Sequence, residues 1–362
     1  MKKIKLICSL LFLMVAASSC TDIQGIDQDL SFLSTVNSAN PNKIFDISND
    51  NSGNVRITPL GEGFTTYTVN FGHGTGEAAS ANVTPGGSAT HSYPEGSYTV
   101  TILSYDIAGV STSNTYPLTV TYRAPEEVVV KIESDVVVSA TALYAKSFLV
   151  YYGDVANEVG KPMAIGQKLP AHIYPAGGPF DLKVVALSGG AAKTEVVKTL
   201  FGLPITFDNS KVDYFFGTFG GGQAFATVDN PSATGLNTSA KVGKFTRGSE
   251  GWSGTYSPLD IPINFAQGKK VKVLVYNPDP AFIGKKLNVE LESAVGGVPA
   301  NGVAVKKVAV TTSGAWEELV FDFTGVTGIT ATSRFNQLVL RYNDTESTPG
   351  AIIYIDNITF TN

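Results

Sequence analysis

The sequence predicts an all-β protein made of several β-sandwich domains. Gly, Thr, Val, Tyr and Phe are abundant, and no long stretch has the apolar period of a helix. Short stretches, such as residues 98–102 and 271–275, instead alternate apolar with polar side chains. Turns rich in Gly, Asn and Pro separate these stretches, which is the arrangement expected of β-sandwiches.

The first 20 residues are typical of an export signal followed by a lipid attachment site. Lys2, Lys3 and Lys5 precede an apolar run at 7–17, and Ala-Ser-Ser leads directly into Cys20. The run is too short to cross a bilayer, which needs about 20 apolar residues. The small residues before Cys20 resemble the lipobox of bacterial lipoproteins. This resemblance implies lipidation of Cys20 and attachment to the outer membrane at the cell surface, and ordinary secretion with a chance Cys is the alternative.

Composition excludes several classes of function. Cys8 lies in the predicted signal, so the mature chain keeps only Cys20 and cannot build a disulfide, a Cys zinc cluster or a Cys nucleophile. The 362-residue chain has 26 Lys and Arg against 31 Asp and Glu and contains no basic run. A nucleic-acid partner is therefore not expected.

Internal repetition divides the rest of the chain. Gly72 is followed 19 positions later by His91 in His-Ser-Tyr-Pro-Glu-Gly, and Gly153 is followed 19 positions later by His172 in His-Ile-Tyr-Pro-Ala-Gly. This shared spacing predicts two tandem copies of one module. The predicted order is signal peptide 1–20, flexible linker 21–42, first module 43–123, second module 124–203 and C-terminal domain 204–362.

Both copies resemble the PKD-type immunoglobulin-like sandwich through the glycine turn and the His-x-Tyr-Pro-x-Gly turn. The first copy departs from that family at His73, where the second keeps Asp154. The resemblance implies two immunoglobulin-like sandwiches, which we expect to act as spacers. His91 and His172 suit catalysis or metal binding, or else rings packed under the turn with backbone hydrogen bonds. Their shared position in a repeat favours packing.

Region 204–362 contains many short alternating strands separated by Gly, Asn and Pro turns, which predicts a jelly-roll β-sandwich. It resembles the carbohydrate-binding modules with that fold through Gly-Trp252-Ser-Gly, Trp316-Glu-Glu-Leu-Val-Phe-Asp-Phe and the closing Tyr-Ile-Asp356-Asn-Ile-Thr-Phe. Strands are predicted at 205–207, 240–246, 270–276, 287–293, 316–323, 338–342 and 352–360.

Candidate ligand platforms in this region are aromatic, because a sugar-binding surface needs flat rings to lie against pyranose rings. Trp252 lies in a Gly-Trp-Ser-Gly loop where burial is hard to arrange, so a ligand platform is favoured over a core position. Tyr256 and Tyr214 are weaker candidates. Trp316 shares strand parity with Glu318, away from the predicted core, but a bulge would reverse this. Ligand contact and a structural role both stay open for Trp316.

Two polar sets complete the candidates. Gln337, Arg341 and Asn343 share one strand face, and amide and guanidinium groups suit hydroxyl recognition as well as a plain solvated face. Asp208 and Asp356 lie near the two ends of the domain. The resemblance implies a structural Ca²⁺ held there by carboxylate and backbone oxygens, and turn and cap roles are the alternative.

The order of these parts favours a non-catalytic, glycan-binding surface lipoprotein. It is similar to the SusE/SusF type of outer-membrane polysaccharide-utilisation systems, which implies capture of a polysaccharide, such as the β-glucan laminarin, for a neighbouring outer-membrane transporter. A glycoside hydrolase is the second hypothesis, with Glu290 or Glu292 paired with Glu317 or Glu318. Glu290 and Glu292 alternate with Leu and Val, however, as on a solvated face. The third hypothesis is a structural adhesion protein without a sugar site, against which Trp252 argues.

Overall fold

The computed structural model describes residues 43–175, 178–295 and 298–362. The predicted signal with Cys20 and the predicted linker at 21–42 lie outside the described residues. The predicted all-β class is confirmed, because the helices in the described part are short 3₁₀ turns. None of the described helices is long and apolar enough to cross a membrane.

The chain forms two compact units, of which the first is most of the first sandwich. Its two sheets run β1-β2-β5 and β4-β3-β6-β7. Val100 and Ile102 are buried on β6, as the alternation predicts. Within the described chain the first unit is 43–47, 55–91 and 98–118, and the second is 48–54, 92–97 and 119–362. The strands are β1 (Phe45–Ile47), β2 (Asn54–Ile57), β3 (Phe64–Asn70), β4 (Ser80–Val83), β5 (Ala89–Ser92), β6 (Gly96–Asp106) and β7 (Ser111–Val120).

The second unit contains a second, smaller sandwich. Its sheets run β8-β9 and β11-β10-β12-β13. Phe148, Val150, Leu182 and Val184 are fully buried in its core, because they occupy alternate positions of paired strands. The strands are β8 (Glu126–Glu133), β9 (Val137–Leu143), β10 (Ser147–Tyr151), β11 (Lys161–Ala164), β12 (Phe180–Leu187) and β13 (Lys193–Leu200).

The repeated histidines lie in matching environments in the two copies. His91 Nε2 is 2.9 Å from His73 Nδ1, and His172 Nε2 is 2.8 Å from the Asp154 carboxylate. Each imidazole also stacks on an aromatic ring, with centroids 4.2 and 3.7 Å apart. Burial and the neighbouring His73 lower the pKa of His91. The packed arrangement holds for both rings.

The C-terminal sandwich packs two five-stranded sheets against each other, β14-β17-β22-β19-β20 and β15-β16-β23-β18-β21. Val271, Val273 and Val275 of one sheet and Leu287, Val289 and Leu291 of the other are fully buried between them. The strands are β14 (Gly217–Phe219), β15 (Ala224–Asp229), β16 (Lys241–Thr246), β17 (Gly254–Asn264), β18 (Lys270–Tyr276), β19 (Lys286–Val295), β20 (Val298–Ala309), β21 (Trp316–Asp322), β22 (Arg334–Tyr342) and β23 (Ile352–Thr361).

One predicted strand of this domain differs in the structure. Residues 205–207 contribute only an isolated bridge between Ile205 and Ile358. Ile205 and Phe207 are nevertheless buried in the core, so their apolar character is explained by packing and not by a full ladder.

Candidate functional site

The candidate site lies on the side of the sheet β14-β17-β22-β19-β20 that points away from the core, which we call the outer face. On β22, Leu338 and Leu340 point into the core. Gln337, Val339 and Arg341 therefore point to the outer face, since successive side chains alternate. The register places Gln337 opposite both Pro258 and Glu292, so the outer face continues across three strands.

Four aromatic rings form a stripe along one side of the outer face. Ring centroids are 6.1 Å apart for Phe215 and Tyr256, 6.5 Å for Tyr256 and Phe219, and 6.2 Å for Phe219 and Trp252. The Phe219 and Trp252 planes are parallel within 3°. Trp252 is 56% exposed and Phe215 is 50% exposed. We call these four residues the aromatic stripe.

Two glycines allow these rings to lie flat on the sheet. Gly217 pairs with Tyr256, and Phe219 pairs with Gly254. A Cβ on Gly217 would be 2.4 Å from the Tyr256 ring, and one on Gly254 would be 2.7 Å from the Phe219 ring. Each aromatic side chain thus covers the glycine opposite it, which compensates for the missing side chain in the strand.

Arg341 joins the stripe to the polar half of the outer face. Its guanidinium carbon lies 5.4 Å from the Phe219 ring centroid, a cation–π arrangement. Its Nη2 is 3.1 Å from a carboxylate oxygen of Glu290. Burial raises the pKa of Glu290, and Glu292 adds to this rise, whereas Arg341 opposes it. The Arg341 guanidinium therefore contacts both an aromatic ring and a buried carboxyl.

Further polar pairs follow along β19 and β20. Gln337 Nε2 donates to Glu292 at 2.7 Å, and Lys307 lies 2.5 Å from Asp344. Glu292 is 5% exposed and Gln337 is 2% exposed. The polar half is thus made of oriented amide, carboxylate and ammonium groups held by one another.

Asn288 is a buried amide with unmet hydrogen-bonding capacity. It is 0% exposed, and neither polar atom of its side chain makes a hydrogen bond of normal geometry within the described residues. It lies close to Asp344. Burial raises the pKa of the Asp344 carboxyl, but Lys307 and Asn288 lower it more, so that the pKa is below its usual value.

The structure brings four predicted ligand contacts together and sets the other three apart. Trp252, Tyr256, Gln337 and Arg341 all lie on the outer face or at its edge. Tyr214 instead packs beside Phe207 at the edge of the core. Asn343 is 3% exposed beyond the end of β22, and its amide donates to Thr348 and Glu346. We leave Tyr214 and Asn343 out of the proposed binding face.

Trp316 lies on the other sheet. The alternation argument is right that it points away from the main core, but the ring is only 6% exposed. It packs with Val242 and Leu274, and its Nε1 donates to the Ser232 carbonyl at 2.8 Å. The loop around Ser232 covers the ring, so Trp316 is not accessible as a platform and is also left out of the binding face.

Asp356 is surrounded by hydrogen-bond donors. Its carboxylate accepts from Asn237 Nδ2 at 2.8 Å, from the Ser239 hydroxyl at 2.6 Å and from the Asn357 backbone at 2.7 Å. Asp208 accepts from the backbone of Lys241 at 2.8 Å. Burial raises the pKa of Asp356. A carboxylate already bonded to three donors fits a hydrogen-bonded cap better than a Ca²⁺ ligand.

The interpretation of Glu290 and Glu292 as a solvated face was wrong, because they are 6% and 5% exposed. Alternation with Leu and Val indicates only that they point away from the core, and side chains of neighbouring strands cover them. The hydrolase pairings proposed with Glu317 or Glu318 are not assembled. Those residues lie on β21 in the other sheet, where Glu317 accepts from the backbone of Thr311.

Sequence reasoning missed several residues of the outer face. Phe215 and Phe219 have no loop motif to mark them, although their spacing of four with Gly217 between them was a usable pattern. Asn288 occupies the same parity as Glu290 and Glu292 and could have been grouped with them. Within the described residues, no group of three His, Cys, Asp or Glu side chains is arranged to hold a metal ion.

No family model matches the chain, and no curated protein matches it. Its structural neighbours include carbohydrate-binding modules. One, from the β-sandwich superfamily, has a TM-score of 0.31 and 14% identity over 88% of this chain and 97% of its own. A Clostridium thermocellum family 11 module in complex with a β-1,3-1,4-mixed-linked tetrasaccharide has a TM-score of 0.32 and 12% identity, and the match covers 44% of this chain and 97% of that module. A family 28 module specific for non-crystalline cellulose has a TM-score of 0.33 and 12% identity, and the match covers 44% of this chain and 95% of that module. These TM-scores are too low to establish a shared fold, so the sandwich architecture rests on the sheets described above.

Proposed function

We propose that this protein is a non-catalytic, polysaccharide-binding lipoprotein of the outer-membrane surface. In this proposal, Cys20 carries the lipid, the PKD-like modules hold the C-terminal sandwich away from the membrane, and the outer face captures a glycan for a neighbouring transporter. The observation that carries the proposal is the aromatic stripe next to buried, oriented polar groups.

The chemistry of the outer face suits a sugar polymer. Exposed rings such as Trp252 and Phe215 offer flat apolar surfaces to the C–H faces of pyranose rings. Arg341, whose side chain is partly exposed beside the Phe219 ring, supplies donors for hydroxyl groups within reach of those rings. A stripe with three successive steps of 6.1 to 6.5 Å is elongated, which favours a chain over a single sugar.

The charges of the outer face favour a neutral polysaccharide. Three carboxylates, Glu290, Glu292 and Asp344, face two cations, Arg341 and Lys307. A polyuronate would bring further negative charge to this surface, and a neutral β-glucan would not. Laminarin, suggested by the sequence resemblance, is therefore the first candidate ligand.

The test is affinity electrophoresis of residues 21–362 through gels containing laminarin, mixed-linkage glucan, xylan, starch, pectin or alginate. We expect retardation by a neutral glucan and its loss in Trp252→Ala, because the exposed ring is the largest apolar contact offered. The matched control is Trp316→Phe, which should be retarded like the wild type since that ring is buried in the other sheet.

Product release is assayed on the same samples. Retardation without release of reducing sugar supports a binding protein. Release of sugar that is lost in Glu290→Gln would favour the hydrolase hypothesis instead. If none of the six polysaccharides retards the wild type, the binding proposal fails and a structural adhesion role is favoured.

A further inference from the structure

A crevice opens where the outer face ends. Glu292 and Gln337 lie opposite each other on β19 and β22. Ser293, which follows Glu292, and Asn336, which precedes Gln337, both line a cavity of about 190 Å³. The opposite wall of this cavity comes from Ser134 and Asp135 of the second sandwich, which belongs to the same compact unit. The outer face thus leads to a junction between two sandwiches.

A second cavity adjoins the first. It has a volume of about 240 Å³ and shares Asp135, Pro262 and Arg334 with it. His172 and Gln267 also line it. We call the two cavities together the junction crevice. Clefts between domains are common ligand sites, and this one is of a size for one or two sugar units.

The aromatic stripe leads towards the junction crevice. Its rings follow β17 in the order Trp252, Phe219, Tyr256 and Phe215, because Gly217 pairs with Tyr256 and Phe219 with Gly254. The same strand continues to Pro262, which lines both cavities. A chain lying along the stripe would therefore be directed towards the crevice.

Contacts between the two sandwiches hold the walls of the crevice in place. Ile261 packs against the core of the second sandwich, and its backbone N–H donates to the Phe201 carbonyl at 3.1 Å. Gln267 Nε2 donates to the Tyr174 carbonyl at 2.7 Å. A preformed crevice of this kind loses little freedom when a ligand binds.

Backbone strain marks the wall that the second sandwich supplies. Asp135 and Val136 have φ of 59° and 55°, a region that a β-branched residue such as Val rarely adopts. Val136 is held there by burial at 1% exposure, and the His172 N–H donates to the Asp135 carbonyl at 3.2 Å. Such strain persists where surrounding structure fixes it, and it is frequent at binding sites.

Asp135 and Arg334 present opposite charges in the crevice. Both line both cavities, and within the described residues they form no ion pair with each other. Arg334 Nη1 donates to the carbonyls of Ala331 and Ser333, which orients its guanidinium. A carboxylate accepts from hydroxyl groups and a guanidinium donates to them, so the pair suits a neutral sugar unit between them.

We propose that the junction crevice is an end subsite of the glycan site, in which Asp135 and Arg334 bind the last one or two sugar units of a chain lying on the aromatic stripe. This inference rests on the proposed function. It gives the second sandwich a direct role in ligand binding, in place of the spacer role that the sequence predicts.

The test is calorimetric titration of residues 21–362 with laminari-, cello-, mixed-linkage, xylo- and malto-oligosaccharides of two to eight units. For the series that binds, affinity should rise with length until the chain reaches the crevice. Asp135→Asn is chosen because Asn tolerates positive φ. This variant and Arg334→Gln should each bind the longest ligand about tenfold more weakly, the effect of one or two lost hydrogen bonds, and bind short ligands with unchanged affinity.

Thr332→Cys gives a second readout, because the mature chain with Cys20→Ser has no other cysteine. Thr332 is exposed and lines the crevice. Long ligands should slow its reaction with a maleimide, and Val159→Cys, which is on an exposed loop of the second sandwich, should react unchanged.

The outcomes separate the two proposals. If both variants bind ligands of every length as tightly as the wild type, and no ligand protects Thr332→Cys, the end-subsite proposal is overturned and the stripe is the whole site. An equal loss at every length would also overturn it, since the substitutions would then act on the outer face itself. A wild type that binds no oligosaccharide or polysaccharide would overturn the proposed function.

Discussion

In the C-terminal sandwich, each of the two five-stranded sheets carries a tryptophan and a buried carboxyl on the side away from the common core. The two sides differ in whether a loop covers the tryptophan. On the second sheet, the segment 232–239 covers Trp316 and supplies Asn237 and Ser239 as donors to Asp356. On the outer face, Trp252 stays 56% exposed.

The buried carboxyls follow the same contrast. Asp356 accepts hydrogen bonds from two side chains and one backbone N–H, whereas Glu290 is paired with Arg341 alone among the side chains that the structure describes. Burial raises the pKa of both. The comparison shows that strand parity is the same for the covered side and for the proposed binding face, and that the covering loop distinguishes them.

The largest expected effect is that of Trp316→Ala on stability. Removing this ring leaves a cavity beside Val242 and Leu274 and frees the Ser232 carbonyl, so the free energy of unfolding should fall by about 3–5 kcal/mol. Urea unfolding of the full mature chain measures this. Trp252→Ala is the control and should cost less than about 1 kcal/mol, because that ring is exposed. Equal losses would remove the distinction between the two faces.

Phe219→Leu should weaken binding more than it weakens folding. The change keeps apolar volume over Gly254 but removes the flat ring and its contact with Arg341, so affinity for the retained polysaccharide should fall about tenfold. Calorimetry measures the affinity. Val320→Leu, on the second sheet, is the matched control, and a comparable loss there would count against the outer face as the site.

Glu290 should make stability depend on pH in a defined direction. Its pKa in the folded state is raised, so the folded protein keeps the proton longer than the unfolded chain. The contribution of Glu290 to the free energy of unfolding should therefore be greatest below about pH 4.3, the ordinary Glu value, and be lost as pH rises through the raised pKa. Denaturation from pH 4 to 8 should show this slope in the wild type but not in Glu290→Gln. An unchanged slope in the variant would assign it to other groups.

Calcium should have the smallest effect. The three donors around Asp356 leave little need for a cation, so EDTA should shift the melting temperature by less than about 2 °C, which is about 0.5–1 kcal/mol for a domain of this size. Differential scanning calorimetry with EDTA or added CaCl₂ measures the shift. A rise of several degrees with calcium would support the ion that the sequence resemblance implies.

Several features could be predicted because they depend on local patterns. The alternation of 271–275 and of 287–291 placed those strands and their core sides correctly, since the side-chain period of a strand is two. The same rule gave the direction of Trp316. The repeated spacing of Gly, His, Tyr and Pro predicts two related modules, and each histidine of the repeat has a side-chain partner 18 residues earlier in the chain.

The composition of the candidate site was only partly predicted. Trp252 was predicted from a loop motif and Tyr256 as a weaker aromatic candidate. Phe215 and Phe219, tens of residues earlier in the sequence, join them only through the pairing of β14 with β17. The cover over Trp316 and the burial of Glu290 also depend on contacts between distant segments.

By itself the sequence determined the all-β class, the repeat and which side of each strand faces a core, because these follow from residue type and a period of two. The tertiary structure alone decided which outward-facing side chains stay accessible, which carboxyl is capped, and that Asp135 and Arg334 share a crevice. Those outcomes depend on loop covering and on the meeting of two sandwiches, and no local pattern specifies either.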